Sequence, residues 1–450
     1  MPETTQISSL TSLKPAPSST AVPGMDCAVR GIRSIQVPRR FVADEWGGTE
    51  TTILQASRAL NAAGHPTRIF TSLALSDNRS ETLHDVEIRR FTYSYPFLGL
   101  SRDNRQEMDK KAGNLLSLSL LWSLFREPDV DLLHAHAGKR LGGIVRTAAR
   151  LRGIPYVITL HGGFFDIPAG QMQQMLAPIR RTLEWGKPLG AMLGSRRVLQ
   201  DAAAVLCVGD NEYRAARSAL PNQRVELMPN GVDSRFFSSG NGDSFRKHYG
   251  IPTRRRIILC VSRIDYQKNQ LALIQALPGI LQREPEAQLV LVGPVTIDDY
   301  RRKLLQHINR LGLQGRVNLI PGLQADDPLL RGAYHAADVF CLPSLHEPFG
   351  IVVLEAWAAG LPVVAARVGG IPSFTRHGED VLHADPRQQE SLTQQLLHVM
   401  ENAQLASRLA DNGRTRARQD FDWSVISRQL ATLYQSLAGT WRATRCSCCM

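Results

Sequence analysis

Residues 339–366 read VFCLPSLHEPFGIVVLEAWAAGLPVVAA, and this stretch decides the fold class. A short apolar strand over 339–342 leads through a polar loop into a helix over 350–359, and a second apolar strand follows at 362–366. Strand, helix and strand in this order build a parallel sheet covered on both faces. The loop delivers Glu347-Pro348-Phe349-Gly350 to the start of the helix, where backbone N–H groups at Phe349, Gly350 and Ile351 lack helical partners.

The same alternation extends in both directions. Strands over 256–262, 288–293 and 317–321 interleave with helices over 269–281, 300–311 and 328–336, and an amphipathic helix is predicted over 423–437. Upstream, a strand over 32–37 is followed by Gly47-Gly48, a helix over 49–63 stopped by Gly64, and a strand over 67–73. Further short apolar strands lie at 132–135, 156–160 and 204–208. Turn chemistry at 229–233 and the loose segment 238–243 separate the two blocks. The expected fold is therefore α/β, with two doubly wound Rossmann-like domains facing a cleft at the carboxyl ends of their strands, where such sheets bind ligands. A chain of 450 residues fits two cores better than one. The expected division is a disordered extension over 1–30, a first domain over 31–235, a second over 236–422, a helix over 423–440 returning to the first, and a tail over 441–450.

Composition narrows the function classes. The net charge of +12 favours phosphate-bearing partners, yet it is spread in short clusters such as Arg39-Arg40 and Arg254-Arg255-Arg256, and aromatic residues make up only 6%. Nucleic-acid binding, which wants a basic stripe with stacking aromatics, is not expected. Of seven cysteines, Cys207, Cys260 and Cys341 sit in apolar strand-like runs and read as buried thiols of a reducing cytoplasm. The C-terminal Cys446-Ser447-Cys448-Cys449-Met450 is not a prenylation box. The opening 24 residues lack the apolar core of a secretory signal. The longest apolar run, 115–125, falls short of the roughly 18–20 residues a membrane helix needs. Segments 108–125 and 176–199 combine basic residues with Trp122 and Trp185. They suit either peripheral contact with an anionic membrane or helices packed on their own core with a solvated basic face.

Three places carry the candidate chemistry. Glu347 and Glu355 flank the helix start: they could hold hydroxyl pairs on two parts of one ligand, or be a helix-start glutamate and a solvated one. Arg263 and Lys268 lie in the loop between a buried strand and a helix, positioned to neutralise a leaving diphosphate or to make ordinary surface ion pairs. Gly47-Gly48-Thr49-Glu50 is a close-approach phosphate turn or simply a tight strand-to-helix turn.

Gly47-Gly48-Thr49-Glu50, Thr159-Leu160-His161-Gly162, Pro229-Asn230-Gly231-Val232-Asp233, Ser262-Arg263 with Lys268-Asn269, and Glu347 to Glu355 occur in one order across residues 32–437. In that ordered set the chain resembles family four of the retaining GT-B glycosyltransferases, whose E-x7-E element matches Glu347 and Glu355. The resemblance implies transfer of a hexose from a nucleotide-sugar donor to a glycan or lipid-linked acceptor, in bacterial surface or exopolysaccharide synthesis. It implies that Arg263 and Lys268, helped by the backbone at Gly48, bind the donor diphosphate, and that Glu355 binds the ribose. Glu347 would hold the transferred sugar, Phe349, Gly350 and Ile351 would supply backbone contacts, and His161 would lie beneath the sugar. Read alone, His161 is an ordinary polar residue at a strand end. Gly369-Gly370 matches another family turn near the sugar. Neither cofactor nor metal is expected, and Asp129-Val130-Asp131, though literally D-x-D, reads as a turn leading into a strand. A nucleotide-sugar epimerase on the same fold, or a scaffold subunit, are the rival readings.

Overall fold

The computed structural model describes residues 30–42, 47–111, 113–165, 179 and 182–447. The extension before residue 30, most of the segment 166–181 and the last three residues lie outside the described residues. Ile32–Met450 is one unit, and it holds two large sheets.

Along the first half run β1 (Ser34–Val37), β2 (Thr67–Ser72), β3 (Ser80–Leu83), β4 (Val86–Phe91), β5 (Phe97–Leu98), β6 (Leu132–Ala135), β7 (Tyr156–Leu160), β8 (Leu183–Glu184), β9 (Ala204–Cys207) and β10 (Val225–Leu227). Among the described residues, eight of these form a sheet in the order β10-β9-β7-β6-β1-β2-β4-β3, parallel except for the edge pair β3–β4. The second half contains β11 (Arg256–Val261), β12 (Ala287–Val292), β13 (Val317–Ile320), β14 (Val339–Leu342), β15 (Val363–Ala366) and β16 (Leu382–Ala384). They form an all-parallel sheet in the order β13-β12-β11-β14-β15-β16.

Alternation of side chains explains why the central strands carry apolar residues on both faces. Ile257 and Leu259 of β11 enter one core cluster while Ile258 and Cys260 enter another on the opposite face. In β6 the same split sends Leu133 to one cluster and Leu132 to a second, completed by Leu430, Leu433, Tyr434 and Leu437 of the last helix. That helix, Trp423–Ser447, packs beside the first helix, Gly48–Ala62, and Trp441 Nε1 donates to Gly153 O at 3.0 Å. It runs past both the amphipathic stretch ending at 437 and the expected boundary at 440, with Ala438 buried against the first half and Trp441 hydrogen-bonded to it.

The chain crosses between the halves at two adjacent points. Val232 N donates to Phe421 O at 2.8 Å, Trp423 N returns to Val232 O at 3.1 Å, and Ser234 N donates to Asp422 Oδ2 at 3.2 Å. The D-x-D turn leads into β6 as expected: Asp131 Oδ2 accepts from Arg33 N at 3.0 Å and Asp129 pairs with Arg33 at 2.7 Å.

The segment 176–199 is not one amphipathic helix. Its described part holds β8, which pairs with β5, and a short helix, Lys187–Met192, because Gly186, Pro188 and Gly194 interrupt helical continuity. In segment 108–125 the helix Leu118–Arg126 buries Leu120 and Leu124, while Trp122 stays 55% exposed with the Arg126 guanidinium 4.2 Å above its ring. Among the described residues, no helix is long and apolar enough to cross a membrane.

Candidate active site

The loop between β14 and the helix Ile351–Ala359 is the centre of the site. Gly350 caps that helix in the left-handed region, at φ 96°, and a Cβ there would stand 2.5 Å from Ile371 Cδ1. Only glycine adopts this conformation without strain. The helix start has no side-chain cap, which leaves the N-terminal amides to a ligand or solvent. The Phe349 ring is buried and stacks on Phe374 at 4.5 Å, so its side chain anchors the loop from below.

Glu347 is 6% exposed and is held from two sides. Lys268 Nζ donates to its Oε2 at 2.6 Å and Ser344 Oγ donates to the same oxygen at 3.0 Å. Lys268 comes from the loop after β11, which is stitched to the Glu347 loop by Leu345 N donating to Gln267 O at 2.7 Å. The lysine loop itself is fixed by Asn269, in the left-handed region at φ 56°, whose Nδ2 donates to Pro343 O at 3.2 Å and Pro386 O at 3.0 Å. Arg263 lies in the same loop with its side chain 49% exposed, beside the buried Asp265 at 3.3 Å. Of the Arg263–Lys268 pair, Arg263 makes an ion pair near the surface, and Lys268 makes an inward one with Glu347.

Glu355 sits about one turn into the helix, where Tyr334 OH donates to its Oε2 at 2.6 Å. Burial pushes its carboxyl up to about 7, against the opposing effect of the Tyr334 hydrogen bond.

The other half of the molecule meets this loop directly. Gly48 opens the helix Gly48–Ala62, and a Cβ there would contact Ile351 Cδ1 at 3.6 Å. Gly162, at φ 90°, lies so close to Pro348 that a Cβ would stand 2.2 Å from the proline Cβ. Asn211 Nδ2 donates to Gly369 O at 3.1 Å, and Gly370 N donates to Glu347 O at 2.9 Å. Gly48, the turn after His161, Gly369-Gly370 and the Glu347 loop, far apart in the chain, thus converge.

His161 follows β7, and its Nε2 lies 2.8 Å from His136 Nδ1. Burial lowers His161 to about 4 and His134 to about 3, and takes His136 well below its ordinary value, so all three rings are neutral at physiological pH. The sequence reasoning passed over His134, His136, Gln36 and Glu212. Glu212 is buried and accepts from Gly162 N at 2.9 Å and Phe164 N at 3.1 Å, fixing the turn that carries His161. The one signal for the histidines was the His134-Ala-His136 spacing at the end of a buried strand, which puts both rings on one face.

Two family models match the chain, one in each half. The description "Glycosyl transferases group 1" matches residues 242–416, and "Glycosyl transferase 4-like domain" matches residues 47–231. A D-inositol 3-phosphate glycosyltransferase of Thermobispora bispora is 30% identical over 406 residues, 86% of this chain and 89% of that protein. The chain belongs to family four of the glycosyltransferases. The glycosyltransferase is also similar to a phosphatidyl-myo-inositol mannosyltransferase of Mycobacterium tuberculosis, 34% identical over 244 residues, 52% of this chain and 60% of that one. Its fold matches that of Anabaena HepE in complex with UDP and glucose at a TM-score of 0.66 and 22% identity, covering 90% of this chain and all of the other, 100%. Sucrose-phosphate synthase from Thermosynechococcus elongatus matches at 0.69 and 22%, covering 91% and 100%. The fold is thus GT-B, two Rossmann-like sheets with their candidate residues gathered where the halves meet.

Proposed function

We propose that this glycosyltransferase moves a hexose from a nucleotide-sugar donor to a glycan or lipid-linked acceptor, with retention of anomeric configuration and without a metal ion. The observation that carries this reading is the Lys268–Glu347 pair at 2.6 Å beside the uncapped start of the helix Ile351–Ala359. As the bond between the sugar and the phosphate breaks, negative charge grows on the leaving diphosphate. Lys268, Arg263 and the amides at Gly350 and Ile351, with the backbone at Gly48 opposite, stabilise that charge as it develops. Glu347 holds the transferred sugar, the backbone at Phe349 adds a contact, Glu355 holds the ribose, and His161 orients the sugar from below. The acceptor oxygen attacks from the leaving-group face and passes its proton to a phosphate oxygen, so no carboxylate has to act as general base.

The UDP named for the Anabaena structure supports a uridine donor. The inositol phosphate and phosphatidylinositol in two relatives' names support an acceptor that carries a phosphate, as a lipid-linked sugar does. The exposed Trp122 under Arg126 supports a peripheral contact with the anionic inner face of a bacterial cytoplasmic membrane, in surface or exopolysaccharide synthesis.

The test is a thermal-shift panel of UDP, GDP, ADP and their sugar conjugates in EDTA. One nucleotide at about a hundred times its Kd adds roughly 2.7 kcal/mol and should raise the melting temperature by several degrees. Arg263→Ala should shrink that shift. No shift from any nucleotide would overturn the reading, and a shift that vanishes in EDTA would overturn its metal independence.

A pH dependence follows from Glu355. Its ordinary value is 4.5 and the folded value about 7, so the folded protein holds a proton in that window that the unfolded chain releases. Its contribution to stability is complete below about 4.5 and is lost as pH rises through about 7. Ionised Glu355 accepts ribose hydroxyls more strongly than the acid, so nucleotide affinity should rise from pH 6 to pH 8 by up to about tenfold. Calorimetric titration of Glu355→Gln should give a flat profile and weaker binding; an unchanged slope would remove Glu355 from the ribose site.

A further inference from the structure

Beneath the site, on the face of the first sheet covered by the last helix, six polar side chains form a continuous chain. Tyr434 OH lies 2.5 Å from His134 Nδ1, and His134 Nε2 lies 2.7 Å from Thr159 Oγ1. Gln36 Nε2 donates to Tyr434 OH at 3.2 Å, His136 Nε2 lies 2.7 Å from Gln36 Oε1, and His136 Nδ1 lies 2.8 Å from His161 Nε2. Gln36, His134 and Tyr434 are at most 2% exposed, so these links, and not water, satisfy their polar atoms.

The chain has a direction. Each neutral imidazole carries one N–H and one lone pair, so the role of either nitrogen dictates that of the other. Gln36 Nε2 donates to Tyr434 OH, so the single phenolic proton is left for the other contact, and Tyr434 donates its O–H to His134 Nδ1. That leaves Gln36 Oε1 to accept from His136 Nε2–H, and the bare His136 Nδ1 to accept from His161 Nε2–H. The lone pair of His161 is then on Nδ1. Reversing the Gln36 amide would reverse every link and place the His161 proton on Nδ1 instead.

We propose that this chain, running from Tyr434 through Gln36 and His136, sets the tautomer of His161, so that Tyr434, Gln36 and His136 are positioning residues of the transfer site. Resting on the functional reading above, the bare Nδ1 makes His161 an acceptor for a hydroxyl of the donor sugar. The last helix thereby acts on the chemistry of the opposite half of the chain, through a phenol 300 residues from His134 in sequence.

The test needs no substrate. In protein carrying ¹⁵N-labelled histidine, ring-nitrogen spectra of the wild type should show His161 as a single Nε2–H tautomer, its signals assigned by their loss in His161→Gln. Tyr434→Phe keeps the ring in the core but frees the Gln36 amide, and the two well-separated His161 nitrogen signals should then move toward each other as tautomers mix. Gln36→Met, which cuts both of its links, should do the same and serves if Tyr434→Phe folds poorly. A wild-type Nδ1–H tautomer would overturn the proposal. So would variants that lower the melting temperature while His161 keeps its tautomer, the outcome of a purely structural role. A negative nucleotide panel alongside a confirmed tautomer shift would instead count against the transferase reading alone.

Discussion

Replacing Lys268 by alanine is expected to lower kcat/KM by about 10²–10³-fold, the usual loss when one preorganised donor to a developing charge is removed. The effect should exceed that of a surface cation because the Lys268 and Glu347 side chains are only 13% and 8% exposed and meet at 2.6 Å. Removal of the lysine leaves a buried carboxylate with the Ser344 hydroxyl, which should also cost about 3 kcal/mol of stability. Lys268→Ala/Glu347→Ala separates the two consequences. Removing both charges should restore much of the lost stability, since the pair is strongly coupled, but turnover should stay down. A double variant that recovers activity together with melting temperature would make the pair a structural ion pair and nothing more.

Trp357→Ala carries the largest expected effect on stability, a loss of about 3–5 kcal/mol. The indole is fully buried, its Nε1 donates to Asp380 O at 2.9 Å, and its ring meets Phe374 edge-on at 5.8 Å with the Arg416 guanidinium 5.5 Å from its centroid. The helix Ala403–Gln419 passes so close at Gly413 that a Cβ there would stand 2.3 Å from the ring, so the surrounding backbone has no easy way to collapse into the space. Trp357→Phe keeps a ring but loses the N–H, and should fall between wild type and alanine. Urea unfolding read by calorimetry or circular dichroism decides the matter, and an alanine variant within about 1 kcal/mol of wild type would refute this account of the core. The tryptophan lies two residues from Glu355 on the helix Ile351–Ala359, so a loosened core should also weaken nucleotide binding.

Much of this was legible in the residues themselves. A strand buried on both faces is apolar at nearly every position, so β11, β12, β14 and β15 announced themselves and fixed the parallel α/β class. Glycine at a helix start, carboxylates at Glu347 and Glu355, and cations after β11 are local signals, because a ligand at the carboxyl edge of a sheet is met by whatever the βα loops carry. What the sequence could not supply is everything that depends on contact between remote segments. That Lys268 reaches Glu347 and not solvent, that Pro348 packs on Gly162, and that Tyr334 meets Glu355 depend on how strands pair and loops cross. The buried polar chain shows the same limit. Sequence placed His161 at a strand end, but its tautomer is set by Gln36 and Tyr434, and only the docking of the last helix brings that phenol to the sheet. Periodicity and turn chemistry act over a few residues and are written into the sequence; hydrogen-bond direction in a dry interior depends on every partner at once, and only the folded structure assembles them.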